Sequence, residues 1–180
     1  MSSARRSAER ENSDCFSDQA WGHTVIEARY TLSDDPAIVR DQLRINLQKA
    51  DLVDLCYSCF GGDLTLKVSG LDLSIITGGG VQILDFAVEF YSAGRAIASG
   101  KIYRISFAGM ADEIYATPDG DQVKVACNYA TGSSQVPGAE FISAGRNFLS
   151  TVLADLMARY PELRKNGDIR RACSWVGLTS

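Results

Sequence analysis

The stretch "DLTLKVSGLDLSI", residues 63–75, alternates apolar and polar side chains on both sides of a Ser-Gly pair. Leu64, Leu66 and Val68 precede Ser69 and Gly70, and Leu71, Leu73 and Ile75 follow. A period of two can bury one face only as an extended strand, and a two-residue connection between such runs predicts a β-hairpin. Consecutive antiparallel strands are therefore imposed on the middle of the chain. "EIYATPDGDQVKVACNY", residues 113–129, repeats the signal around the turn Pro118-Asp119-Gly120, with Val123, Val125, Cys127 and Tyr129 on one face.

Other segments fill in around these hairpins. Ile26, Ala28, Tyr30 and Leu32 alternate with polar residues and predict a first strand, and Tyr103, Ile105 and Phe107 predict another. Asp35 is placed as an N-cap with Pro36 at the first helical position, and Val39, Leu43 and Leu47 extend a helix to about Ala50. Ile83, Ala87, Phe90, Tyr91 and Ile97 form one face of a second helix that stops at Gly100. A third helix is expected from Ala139 to Tyr160 on the stripe Phe141, Phe148, Val152 and Leu156, with Pro161 ending it and one further turn beyond. "ATGSSQVPG", residues 130–138, reads as a loop, and residues after Lys165 show no usable period.

The expected order is β-α-β-β-α-β-β-β-α: an α+β fold with a mainly antiparallel sheet covered by two to three helices. Residues 1–20, poor in large apolar side chains, are expected to be a disordered tail. Residues 21–165 form the single domain of this reading, and 166–180 a basic C-terminal tail. At 180 residues with 46% hydrophobic content, the chain is long enough to bury one real core.

Charge restricts the partners. Residues 1–20 carry −1 and residues 164–180 carry +3, so the body between holds −6 within a net charge of −4. Such a body repels phosphate backbones and attracts basic proteins, which argues against nucleic acid as the partner. No stretch approaches the roughly 18 apolar residues of a membrane span. Five cysteines at irregular spacing suit reduced thiols, so a cytoplasmic setting without a membrane is expected.

Several motifs could carry chemistry. The run "SIITGGGVQILDF" leads a strand-like segment through Gly78, Gly79 and Gly80 into a helix, as phosphate-binding loops do. A dinucleotide loop needs a third glycine where this chain has Ile83, and a P-loop needs a following Gly-Lys-Ser/Thr that is missing. No cofactor is expected there. Cys56 and Cys59 have zinc-knuckle spacing, yet no second pair and only His23 could complete four ligands, so buried apolar packing is the better reading and no metal is expected. Asp85 and Glu89 lie at i, i+4 on the predicted second helix, a spacing that can aim two carboxylates at one ion or substrate, although a solvated face also accounts for them. Asp112, Glu113 and Asp119 are further exposed acids available to a partner. No nucleophile signature accompanies them, so no catalytic residue is assigned.

The segments "LTLKVSG", "VQILDFAVEF" and "PDGD" and the late helix "AEFISAGRNFLSTVLADLMARYPEL" together resemble small α+β immunity proteins of bacterial polymorphic or contact-dependent toxin systems. The resemblance is one of layout over about two thirds of the chain. It implies a non-enzymatic protein that neutralises a basic toxin by direct binding, and it transfers no functional residue. Carboxylate acid/base catalysis and a structural assembly role are the alternatives. A cleft enclosing a carboxylate pair would favour the enzyme, and a broad acidic surface the binding module.

Overall fold

The computed structural model describes residues 26–179, so the expected tail over 1–20, and His23 with it, lie outside the described residues. The fold is α+β, with five helices and two antiparallel sheets of four strands each among the described residues.

The first sheet is built on its middle strand. β1 (Ile26–Leu32) pairs antiparallel with β2 (Gly61–Val68), from Ile26 opposite Val68 to Leu32 opposite Gly62. Ser69 and Gly70 both take left-handed backbone angles, the geometry a two-residue hairpin turn requires, and return the chain as β3 (Leu71–Asp72). The same segment touches β2 again through Ile75 opposite Leu64 and as β4 (Val81–Gln82). Between β1 and β2, α1 (Pro36–Gln42) starts as expected, the Asp35 carboxylate accepting the Ala37 N–H at 2.7 Å. It stops eight residues short of Ala50. Gln42 turns inward to accept the Phe60 N–H, Leu43 is left 75% exposed, and of the expected apolar stripe Val39, Leu43 and Leu47 only Leu47 is fully buried.

A second short helix, α2 (Leu52–Ser58), follows where none is expected from the sequence. Asp51 caps it by accepting the Asp54 N–H, and the Leu52 N–H donates to Asp168, 116 residues away. Asp51 is the one local signal of its start, and the rest of its capping comes from the far end of the chain.

α3 (Ile83–Ala98) and α4 (Gly138–Arg159) cross antiparallel at the centre of the fold. A Cβ on Gly145 would stand 2.7 Å from the Phe90 carbonyl oxygen, so glycine is what allows the backbones to approach. Phe86, Phe90, Phe141 and Phe148 pack their rings across this contact at 5.3–6.3 Å. The second sheet is a meander of β5 (Tyr103–Ser106), β6 (Glu113–Asp119), β7 (Gln122–Cys127) and β8 (Ser133–Pro137). Its hairpin turn sits at Gly120-Asp121, since Asp119 still pairs with Gln122.

Two further segments differ from expectation. The loop over 130–138 contains β8, whose Val136 and Ser134 lie opposite Val123 and Val125. Serine and glutamine have weak strand preference, and an available edge on β7 overrides it. The expected basic tail, 166–180, holds α5 (Gly167–Val176), which buries Ile169, Ala172, Cys173 and Val176 at i, i+3, i+4, i+7. The buried Asn166 fastens it. Its side-chain oxygen accepts the Asp168 and Ile169 N–H groups, while its amide donates to the Leu47 and Ala50 carbonyls at 2.9 and 2.8 Å.

Asn166→Ala removes a cap and strands two carbonyls, so we expect a loss of about 3 kcal/mol in urea unfolding. Leu43→Ser, at an exposed side chain, should stay within about 0.5 kcal/mol of the parent.

Candidate functional site

The glycine run resolves first. The N–H groups of Thr77, Gly78 and Gly79 all point at one oxygen of Asp63, at 2.8, 2.8 and 3.2 Å. Left-handed angles at Gly78 and Gly79 make this concave arrangement of donors, the kind that elsewhere cradles phosphate. Here the anion is a carboxylate from the start of β2. The loop thus closes on its own chain, and its donors are already satisfied.

The cysteine pair is packing material. Cys56 and Cys59 are buried on the inner side of α2. Burial pushes Cys59 up to about 11 and Cys56 up to about 12, the latter with help from the nearby Asp85 and Glu89 carboxylates. Both are protonated thiols at neutral pH and poor nucleophiles. Among the described residues no group of three or more His, Cys, Asp or Glu side chains is arranged to hold a metal ion.

The i, i+4 spacing of Asp85 and Glu89 brings both carboxylates into one cleft of about 290 Å³, lined also by Tyr57 and by the loop from Ser106 to Gly109. Asp85 stands in the first turn of α3 and accepts the Ala108 N–H at 3.1 Å. Glu89 accepts the Tyr103 hydroxyl, at 3.3 and 3.4 Å to its two oxygens. Among the described residues no lysine or arginine pairs with either acid. Burial raises the pKa of both, and Asp85 raises that of Glu89 further. Burial and the Glu89 charge together raise Tyr103 as well.

The remaining acids are not drawn into this cleft. Glu113, at the start of β6, forms an ion pair with Arg104 at 3.3 Å and accepts the Tyr115 hydroxyl. Asp112, partly buried just before it, adds negative charge near the Tyr129 hydroxyl. Asp119 lies at the opposite end of β6, where Gln135 donates to it at 2.8 Å. The five sequence candidates therefore separate into one cleft pair and three residues with other surroundings.

Nothing in the sequence marks Tyr57 or Tyr103 as a site residue. Tyr103 sits on the core-facing side of β5 by its alternation with Ile105, but its reach to α3 is a matter of packing. Tyr57 stands 61% exposed on α2, a helix absent from the expected order. Comparison with protein-family models, with characterised proteins and with solved structures finds no match to this chain. No helix of the described residues is long and apolar enough to cross a membrane.

The raised pKa of Glu89 has a stability consequence with a definite sign. A carboxyl whose folded pKa lies above its unfolded value weakens the fold once pH exceeds the folded pKa, and that penalty vanishes as pH falls below the unfolded value. Glu89→Gln keeps an acceptor for Tyr103 and removes the charge. We expect it to unfold at higher denaturant than the parent at pH 7, the gain shrinking as pH is lowered through the ordinary glutamate range.

Proposed function

We propose that the protein is a binding module whose partner is a basic protein, and that the Asp85/Glu89 cleft receives a cationic side chain of that partner. One observation carries this reading: two half-buried carboxylates face a cleft without a paired cation among the described residues. Removing carboxylates from water without a counter-ion costs stability, and a guanidinium or ammonium group entering the cleft offsets that cost. The exposed Tyr57 at the rim adds an aromatic face of the kind that favours cations. The body charge of −6 supplies long-range attraction for the same class of partner.

The immunity-protein resemblance gives this module a physiological form: neutralisation of a bacterial toxin by covering its active surface. A second reading, carboxylate acid/base catalysis on a small substrate, is the one that a cleft enclosing a carboxylate pair favours, and it draws on the raised pKa values of that pair, whereas the binding reading stands on the unpaired charges and the exposed Tyr57 beside them. The two diverge on turnover. An enzyme loses activity with either carboxylate but needs no stoichiometric partner, whereas a binding module holds one.

The experiment is capture from the native host, joined to rescue of cells expressing a toxin encoded beside this protein. A partner should be held by the parent, weakened at least about tenfold by Asp85→Asn or Glu89→Gln, and unaffected by Asp119→Asn. Association should slow as salt screens charges beyond a Debye length of roughly 8 Å. A protein that captures nothing through these carboxylates and rescues nothing refutes the reading.

A further inference from the structure

Among the described residues the longest open sheet edge belongs to β1. Its seven residues pair with β2 on one side in unbroken register, and among the described residues nothing pairs with the other side. The competing edges are short: two residues each in β3 and β4, four in β5, and five in β8, which ends in Pro137. Proteins usually interrupt an exposed edge with a proline, a bulge or an inward charge. β1 has no proline, and its paired register is free of bulges. Its two charges, Glu27 and Arg29, project from the outer face of the sheet, opposite to Ile26, Ala28 and Tyr30.

Beside this edge runs a groove of about 350 Å³ between the core-facing side of β1 and α4. Tyr30 forms its inner wall, packed edge-on against Phe148 and donating its hydroxyl to Asp155 at 2.8 Å. The α4 residues along the groove, Ala144, Asn147, Phe148 and Thr151, are uncharged, and apart from Phe148, which packs against Tyr30, none is bulky. An added strand would continue the sheet and lay its core-facing side chains over this groove.

We propose that the strand is β1 of a second copy of this chain, paired antiparallel about a twofold axis at Ala28. The β1 sequence is self-complementary in that register. Glu27 falls opposite the partner's Arg29, and Arg29 opposite the partner's Glu27, so two cross-strand ion pairs form on the outer face. On the core-facing side Ile26 meets the partner's Tyr30, and the two Ala28 methyls meet at the axis without crowding. Within one chain Glu27 and Arg29 now pair with each other at 3.2 Å on an exposed surface, a contact worth little and easily exchanged. The α4 residues that line the groove are uncharged, and the nearby Asp155 is engaged by the Tyr30 hydroxyl. The product is one continuous eight-stranded sheet, with the Asp85/Glu89 cleft outside the proposed contact.

Sedimentation velocity of the full chain over a wide range of concentrations tests this. The parent should dimerise. Glu27→Lys places lysine opposite the partner's Arg29, and Arg29→Glu places two glutamates opposite one another, so each variant alone should raise the dissociation constant at least about tenfold. Mixing the two variants restores both opposite-charge pairs and should give the heterodimer. The double exchange should likewise dimerise. Unchanged circular dichroism and unfolding midpoints would show that the single variants remain folded. A parent that stays monomeric, a dimer indifferent to both exchanges, or dimerisation only after removal of residues 1–20 each overturns the proposal.

Discussion

The close crossing of α3 and α4 is the constraint on which the other parts depend. Gly145 lies against the backbone at Phe90, and Gly94 against Ile142, so the helices meet with almost nothing between their axes. Four phenylalanines fill the space beside this contact, and Phe107 brings the end of the second sheet into the same cluster by stacking on Phe86. Interiors packed to this density relax poorly around added atoms, so a single methyl at Gly145 would press on backbone that has no room to yield. Both sheets take their positions from this pair: β2 and β5 lie against α3, and β1 and β8 against α4.

The fold treats its carboxylates in two opposite ways. Asp63 is surrounded by three backbone donors and closes a loop. Asp168 and Asn166 do comparable work at the C-terminal end, where they tie α5 to α2 and to the turns after α1. Asp85 accepts one backbone N–H, from Ala108, and Glu89 accepts the Tyr103 hydroxyl and the Ser106 N–H, all neutral donors, and in their shared, partly buried cleft the Asp85 charge raises the cost of ionising Glu89. Stability alone would favour glutamine or asparagine at these positions. Under the proposed binding reading, a cationic group of the partner completes the interaction that the isolated protein leaves unfinished.

What could be read without the structure follows a physical division. The hairpin at Ser69-Gly70, the Asp35-Pro36 helix start and the long helix ending before Pro161 depend on neighbours within a few residues, and they stand where the alternation and capping residues put them. The elements absent from the expected order all lean on distant partners. α2 takes part of its cap from Asp168, β8 borrows its conformation from β7, and α5 hangs from an asparagine bonded to carbonyls more than a hundred residues away. The α5 stripe was present in the sequence, but it is one short run of apolar residues between charges, too brief to separate from chance.

The sequence by itself determined the α+β class, the antiparallel pairing and the i, i+4 placement of Asp85 and Glu89, because backbone geometry converts local spacing into a shared face without help from the rest of the chain. Tertiary structure alone decided which acids share a cleft. It brought Tyr57, Tyr103 and the Ser106–Gly109 loop around one carboxylate pair, matched Glu113 with Arg104, and set Asp119 at the far end of its strand. It also turned the glycine run into a cradle for Asp63. Charges separated by tens of residues interact only through the distances that packing creates, and no periodicity in the chain encodes those distances.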